Sequence, residues 1–149
     1  MVLRPQVFAP WLAALWWGSL TTLGVLVVPL LFVYLPSPAM AGGMAAKLFS
    51  AQTWLSVVCG LLLLLLHPPG QAVTDSAPEQ FALVFVLFGV LLALLSEFAI
   101  APRIVSRENL RLWHSVGSVM FVLQWLCAGV TFRKLTRHVV GSTSVDLAD

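Results

Sequence analysis

Between Glu97 and His114 the chain reads EFAIAPRIVSRENLRLWH, and six of its side chains can carry charge: Glu97, Arg103, Arg107, Glu108, Arg111 and His114. Long apolar runs flank this stretch on both sides. Ionisable groups at the edge of such runs are costly, and they usually face a bundle interior or a wet cavity where they handle ions, protons or small ligands. Glu97, about one helical turn inside Pro102, is the most informative of them. With Gln52, Arg103, Arg111 and His114 it makes a candidate vestibule for a ligand or ion, provided that chain reversal brings these residues to one membrane face. Lys47 would lie toward the same face. The plainer alternative is an interfacial Glu97 paired with Arg103 or Arg111, which would pin the turn.

Metal chemistry is the next test. Two-histidine haem ligation needs both imidazoles at one depth on facing helices. His67 ends one apolar run and His114 begins another at the opposite face, about 30 Å away across the hydrocarbon. One haem cannot use both, so His114 would need a partner such as Met44 or Met120, or a ligand from another subunit. Cys59 and Cys127 lie about 22 Å, at 1.5 Å per residue, into two runs that point the same way. Paired thiolates there could hold a soft ion such as copper(I), although buried cysteine is more often a small hydrophobe. No cofactor is therefore expected; haem or copper, held by His114 or by Cys59 and Cys127, is the alternative. No nucleophile has a nearby base, no carboxylate pair is available and no glycine-rich phosphate loop precedes a helix, so enzymology of the soluble type is not expected.

The elements that must position these residues follow from composition. Sixty per cent of the 149 residues are apolar and 9% are charged, against roughly 25% charged in a soluble domain, so a water-facing shell cannot be built. About 20 apolar residues make one crossing, and four crossings use most of the chain. The expectation is an all-α integral membrane protein, a four-transmembrane-helix bundle with helices at about 10–34, 44–66, 81–101 and 110–132. A segment 1–9 precedes them, and a basic then polar tail, 133–149, is expected to be disordered. The apolar run from Val7 to Leu35 is too long for a signal h-region of about 7–15 residues and reads as a retained crossing. Pro29 should kink the first helix and Pro102 should close the third. Gly18 with Thr22 and Ser56 with Gly60 have the small-x-x-x-small spacing of close helix contacts, and Gly117 and Ser118 add small positions on the fourth helix.

Four crossings place both termini on one side. Arg4, Arg133, Lys134 and Arg137 stand there against Lys47, Arg103, Arg107 and Arg111 opposite, a tie under the positive-inside rule. The base-free second loop favours cytoplasmic termini. The net charge of +2 comes from groups beside the apolar runs, which suits lipid headgroups and leaves no footprint for nucleic acid. The expected partners are the bilayer and a membrane protein or a second copy of the chain. Val28-Pro29-Leu30-Leu31-Phe32 and Ala101-Pro102-Arg103-Ile104-Val105 also echo one another, as if two helical hairpins repeated in parallel about an axis along the membrane normal.

Trp16-Trp17-Gly18-Ser19, the Val28-to-Phe32 stretch, Ala41-Gly42-Gly43 leading to Leu48-Phe49, Ala101-Pro102-Arg103 and Leu112-Trp113-His114-Ser115 occur in that order. Together they resemble a family of small four-helix membrane proteins of unknown function that includes transmembrane protein 205. The resemblance covers about residues 10 to 132. It implies a four-helix membrane domain and, for bacterial members, the inner membrane. It supplies no activity and no catalytic residues, and it marks Arg103 and His114 only as recurring polar positions. Function is thus expected to be that of an accessory component or a small-solute or ion passage, with a membrane redox protein using His114 as the alternative.

Overall fold

The computed structural model describes residues 8–66, 77–106 and 109–146, and these are helical with short breaks and no strand. Helix α1 spans Ala9–Tyr34 and α2 spans Pro38–Leu65. Helix α3 is built from three consecutive pieces, Ala77–Leu95, Ser96–Ile100 and Ala101–Val105, and α4 spans Leu110–Asp146. Each contains a stretch long and apolar enough to cross a membrane. Most contacts run between α3 and α4, α1 and α4, α2 and α3, and α1 and α2. The helices therefore form a ring in chain order, closed by α1 against α4.

Three of the boundaries that differ from the sequence expectation have a local reason. Helix α2 starts at Pro38, ahead of Met44, because Ser37 is its N-cap: its side chain accepts a hydrogen bond from the Met40 N–H, and Pro38 sits in the first turn, where its missing N–H costs nothing. The Ser-Pro pair that reads as a terminator is also a start signal. Pro102 does not close α3. The turn before it, Ser96–Ile100, widens to π geometry, with the Ala101 N–H donating to the Ser96 carbonyl. An added residue in the turn makes room for the pyrrolidine ring, which would collide with a carbonyl in a regular α-turn. Pro29 is treated in the same way: Thr22–Val27 is π-helical and the Val28 N–H donates to the Leu23 carbonyl. The sequence echo between the two prolines is thus matched by one backbone device in α1 and α3. Finally, α4 continues to Asp146 through the segment expected to be a tail. Phe132 and Leu135, at the end of its apolar part, pack on the core.

Asn109 starts α4 from the left-handed region, with φ of 41°, a conformation that asparagine tolerates better than most residues. Its carbonyl accepts from the Leu112 and Trp113 N–H groups. The core clusters around Trp16, which is fully buried with Ala9, Ala13, Leu20, Cys59, Leu63, Val86 and Ala128. These come from the start of α1, the end of α2, the start of α3 and the later part of α4, so this layer lies in the half of the bundle nearest the termini. Gly89 admits the Trp16 ring: a Cβ there would stand 2.7 Å from its Cη2. Leucine, valine and phenylalanine cover much of the outer surface, as a lipid-facing surface requires.

Candidate functional site

Ala82, Val86, Gly89, Leu92, Ala93 and Ile100 are the buried positions along the described part of α3, and Glu97 continues that inward stripe as a half-buried residue. The Ser50 hydroxyl of α2 donates to Glu97 Oε1 at 2.6 Å. Within the four apolar spans Glu97 is the acidic residue. It sits in the π turn that precedes Pro102, a residue with no N–H to give the helix.

Gln52 belongs to a different cluster. Its Nε2 donates to Ser19 Oγ of α1 at 2.9 Å, and more weakly to Ser56 Oγ at 3.4 Å. Gln124 Nε2 of α4 donates to the same Ser56 oxygen at 2.9 Å, and the Ser56 hydroxyl donates to the Gln52 carbonyl at 2.8 Å. Ser56 thus uses its one donor and both acceptor sites; its fully buried hydroxyl joins α2 to α4, and the Gln52 amide adds α1 through Ser19. Close by in sequence, Trp125 Nε1 donates to Thr21 Oγ1 at 2.8 Å, and Trp17 lies against Trp125 and Phe132 with ring centroids 5.9 and 5.7 Å away.

Arg103 and His114 do not join Glu97. The Arg103 guanidinium lies over the Trp113 ring, 4.4 Å from its centroid, and bridges the end of α3 to the start of α4. Arg111 and His114 are exposed. Among the described residues no carboxylate pairs with Arg103 or Arg111, and Glu97 has Ser50 as its partner. His67, Arg107 and Glu108 lie outside the described residues. Among the described residues no group of three or more His, Cys, Asp or Glu is placed to hold a metal ion. Cys59 and Cys127 are free, buried thiols, both inside the apolar packing.

The helix approaches are also redistributed. A Cβ on Gly60 would collide with Cγ2 of Val90, whereas nothing stands within 4 Å of one on Gly18, and Thr22 and Ser118 are exposed. A Cβ on Gly117 would meet Ile100 and Ile104 at ordinary contact distance. Close approaches occur at Gly24 under Phe121 and at Gly129 under Trp17, neither of which stands in a small-x-x-x-small pair singled out from the sequence. Sequence reasoning also left out Ser19 and Ser50 from the candidate site. A hydroxyl in an apolar run is common, and only the partner across the interface distinguishes these two.

A ring of four apolar helices held by buried side-chain hydrogen bonds defines a multi-pass membrane protein. Residues 11–112 match the domain of unknown function DUF4149, and the chain belongs to that family. Comparison with curated proteins and with solved structures finds no match.

Proposed function

We propose that this is a non-enzymatic, non-conducting component of the membrane, working through contacts with lipid and with other membrane proteins or a second copy of itself. The observation that carries the reading is the Trp16 layer. A continuous passage would have to cross it, and there Trp16, Leu20, Leu63, Cys59 and Val86 interlock across the helices with Gly89 drawn under the indole. The polar groups nearer the other end are occupied with one another: Ser19, Gln52, Ser56 and Gln124 form a closed set of hydrogen bonds.

A polar vestibule near Glu97, Arg103 and His114 is the second reading, and the inward position of Glu97 favours it over a haem or copper site. In this view the vestibule is a blind recess opening toward the face that carries Lys47, Arg103 and Arg111. Residence in a bacterial inner membrane with cytoplasmic termini, and kinship with transmembrane protein 205, rest on the motif order and the base-free second loop. Reconstitution into liposomes tests the central claim. Proton and potassium flux should equal that of protein-free vesicles, and a protein-dependent flux abolished by Glu97→Gln would replace the scaffold with a passage.

A further inference from the structure

The side of the ring between α1 and α4 is closed in one half only. Along Ala9–Thr21 α1 packs on α4, where Trp17 lies against Trp125 and Phe132 and the Trp125 N–H donates to Thr21. Past Gly24, which lies under Phe121, the two helices part. Val28–Tyr34 packs on α2 and buries none of its residues, and none of residues 110–123 of α4 is buried either. The π turn Thr22–Val27 and Pro29 stand at the point of departure, and helices change direction at such features. A lateral cleft thus opens to lipid from about the middle of both helices to the face that carries Lys47 and Arg103.

Residues two turns apart, about seven at 3.6 per turn, share one side of a helix. Traced back along α4 from the side chains that meet α1, His114 stands two turns before Phe121, Ser118 two turns before Trp125, and Arg111 two turns before Ser118. The side of α4 left uncovered by α1 therefore carries Arg111, His114 and Ser118, and all three are exposed. Tyr34 at the end of α1 and Trp113 at the start of α4 mark the headgroup level at the mouth of the cleft, as aromatic rings at helix ends do. Deeper in, the polar character fades. The Ser115 and Ser118 hydroxyls donate to the Arg111 and His114 carbonyls of their own helix, both at 2.9 Å, so neither asks the lipid for a partner. Below them Ser118, Val119, Val122 and Leu123 line a recess of about 250 Å³, about 10–18 Å from Arg111 along the axis at 1.5 Å per residue.

The cleft is amphipathic in the same order as a phospholipid. Its mouth holds a guanidinium, whose fork of N–H groups matches phosphate oxygens, and an imidazole, which has an N–H to donate in either neutral tautomer. Neither wall carries an acid: residues 22–34 and 110–122 contain no Asp or Glu. An anionic headgroup therefore meets only attraction there, and the recess beneath offers an acyl chain valine and leucine. An apolar helix from another chain would fill the recess but would give Arg111 no charge to meet.

We propose that the cleft between Val28–Tyr34 and the start of α4 holds one anionic phospholipid, its phosphate on Arg111 and His114 and an acyl chain in the recess at Ser118 and Val122. The proposal rests on the reading of the bundle as a contact-making membrane component and specifies the lipid among its contacts.

The test is native mass spectrometry of the full-length protein in mild detergent, offered phosphatidylglycerol and phosphatidylcholine with identical acyl chains. The expected result is one phosphatidylglycerol retained in preference. Arg111→Gln should weaken its retention about fivefold, the effect of one basic side chain near an anionic surface. Val122→Trp, which fills the recess at unchanged charge, should weaken it as well. Arg133→Gln, exposed at the opposite end of the same helix, should leave it unchanged. Equal retention of the two lipids, or equal effects of Arg111→Gln and Arg133→Gln, would overturn the proposal. So would efficient disulfide formation between copies of Ser118→Cys in a bilayer, which would assign the cleft to a second chain. Ion flux is read separately: loss of lipid preference without flux removes the lipid site and leaves the scaffold, whereas a protein-dependent flux removes the scaffold whatever lipid is retained.

Discussion

Replacing Ser56 by alanine removes the one hydroxyl through which α2 holds both Gln52 and Gln124. Two terms set the cost. Hydrogen bonds between transmembrane helices average about 0.6 kcal/mol and reach about 1.7. Leaving a buried donor unsatisfied costs about 1–3 kcal/mol. Gln52 Nε2 keeps its bond to Ser19 at 2.9 Å, so it contributes little. Gln124 is 4% exposed and donates through Nε2 to Ser56 alone among the described residues, so its amide dominates. The expected loss is about 1–2 kcal/mol, a factor of about 5–30 in the unfolding equilibrium. Gln124→Leu takes the donor away with the bond and should cost less than Ser56→Ala. In the double variant the alanine should then add little, leaving a coupling energy of about 1 kcal/mol. Reversible unfolding in bicelles measures all three. Additive single effects, with no coupling between Ser56 and Gln124, would refute the claim that this hydroxyl joins α2 to α4.

Three further outcomes follow from packing. Gly89→Val should destabilise the bundle more than Gly18→Val, by about 1–3 kcal/mol as overpacking typically does, because the added methyls meet the Trp16 ring at one site and open space at the other; equal melting temperatures would place the Trp16 layer elsewhere. Cys59 and Cys127 should resist a water-soluble maleimide in the folded protein and react after denaturation, since both are buried, and rapid labelling of either would reopen a thiolate metal site. Protein purified in mild detergent should show no Soret band, and His114→Ala should leave its visible spectrum and stability unchanged, because the imidazole is exposed; a band lost on that substitution would restore the redox alternative.

Much of the fold was legible because four runs of bilayer length with little charge leave few other architectures. The interior was not, and the reason is physical. In a soluble helix the apolar stripe marks the buried face, but here lipid-facing and core-facing positions are both apolar. Nothing in the sequence separates Trp16, which is fully buried, from Trp11, which is 73% exposed. Gln52 was legible as a polar position but was assigned to the wrong neighbours: it shares a membrane half with Glu97, yet its amide turns toward Ser19 and Ser56. Arg103 beside Glu97 in sequence suggested an ion pair. Trp113, brought alongside by the short reversal at Asn109, gives the guanidinium an aromatic face at the interface instead.

The two prolines carry the last step. A proline in a transmembrane helix leaves a carbonyl without its helical donor, and a hydrophobic neighbour cannot satisfy it. In α1 the π turn before Pro29 is covered by packing, with Phe121 over Gly24. In α3 the equivalent turn carries Glu97, whose carboxyl oxygen accepts from the Ser50 hydroxyl. If the acid is there to hold the Ser50 hydroxyl, Glu97→Gln preserves an acceptor and Glu97→Leu removes it, so leucine should be the more damaging although it is the more lipid-soluble. An acid retained for its charge would be harmed equally by both.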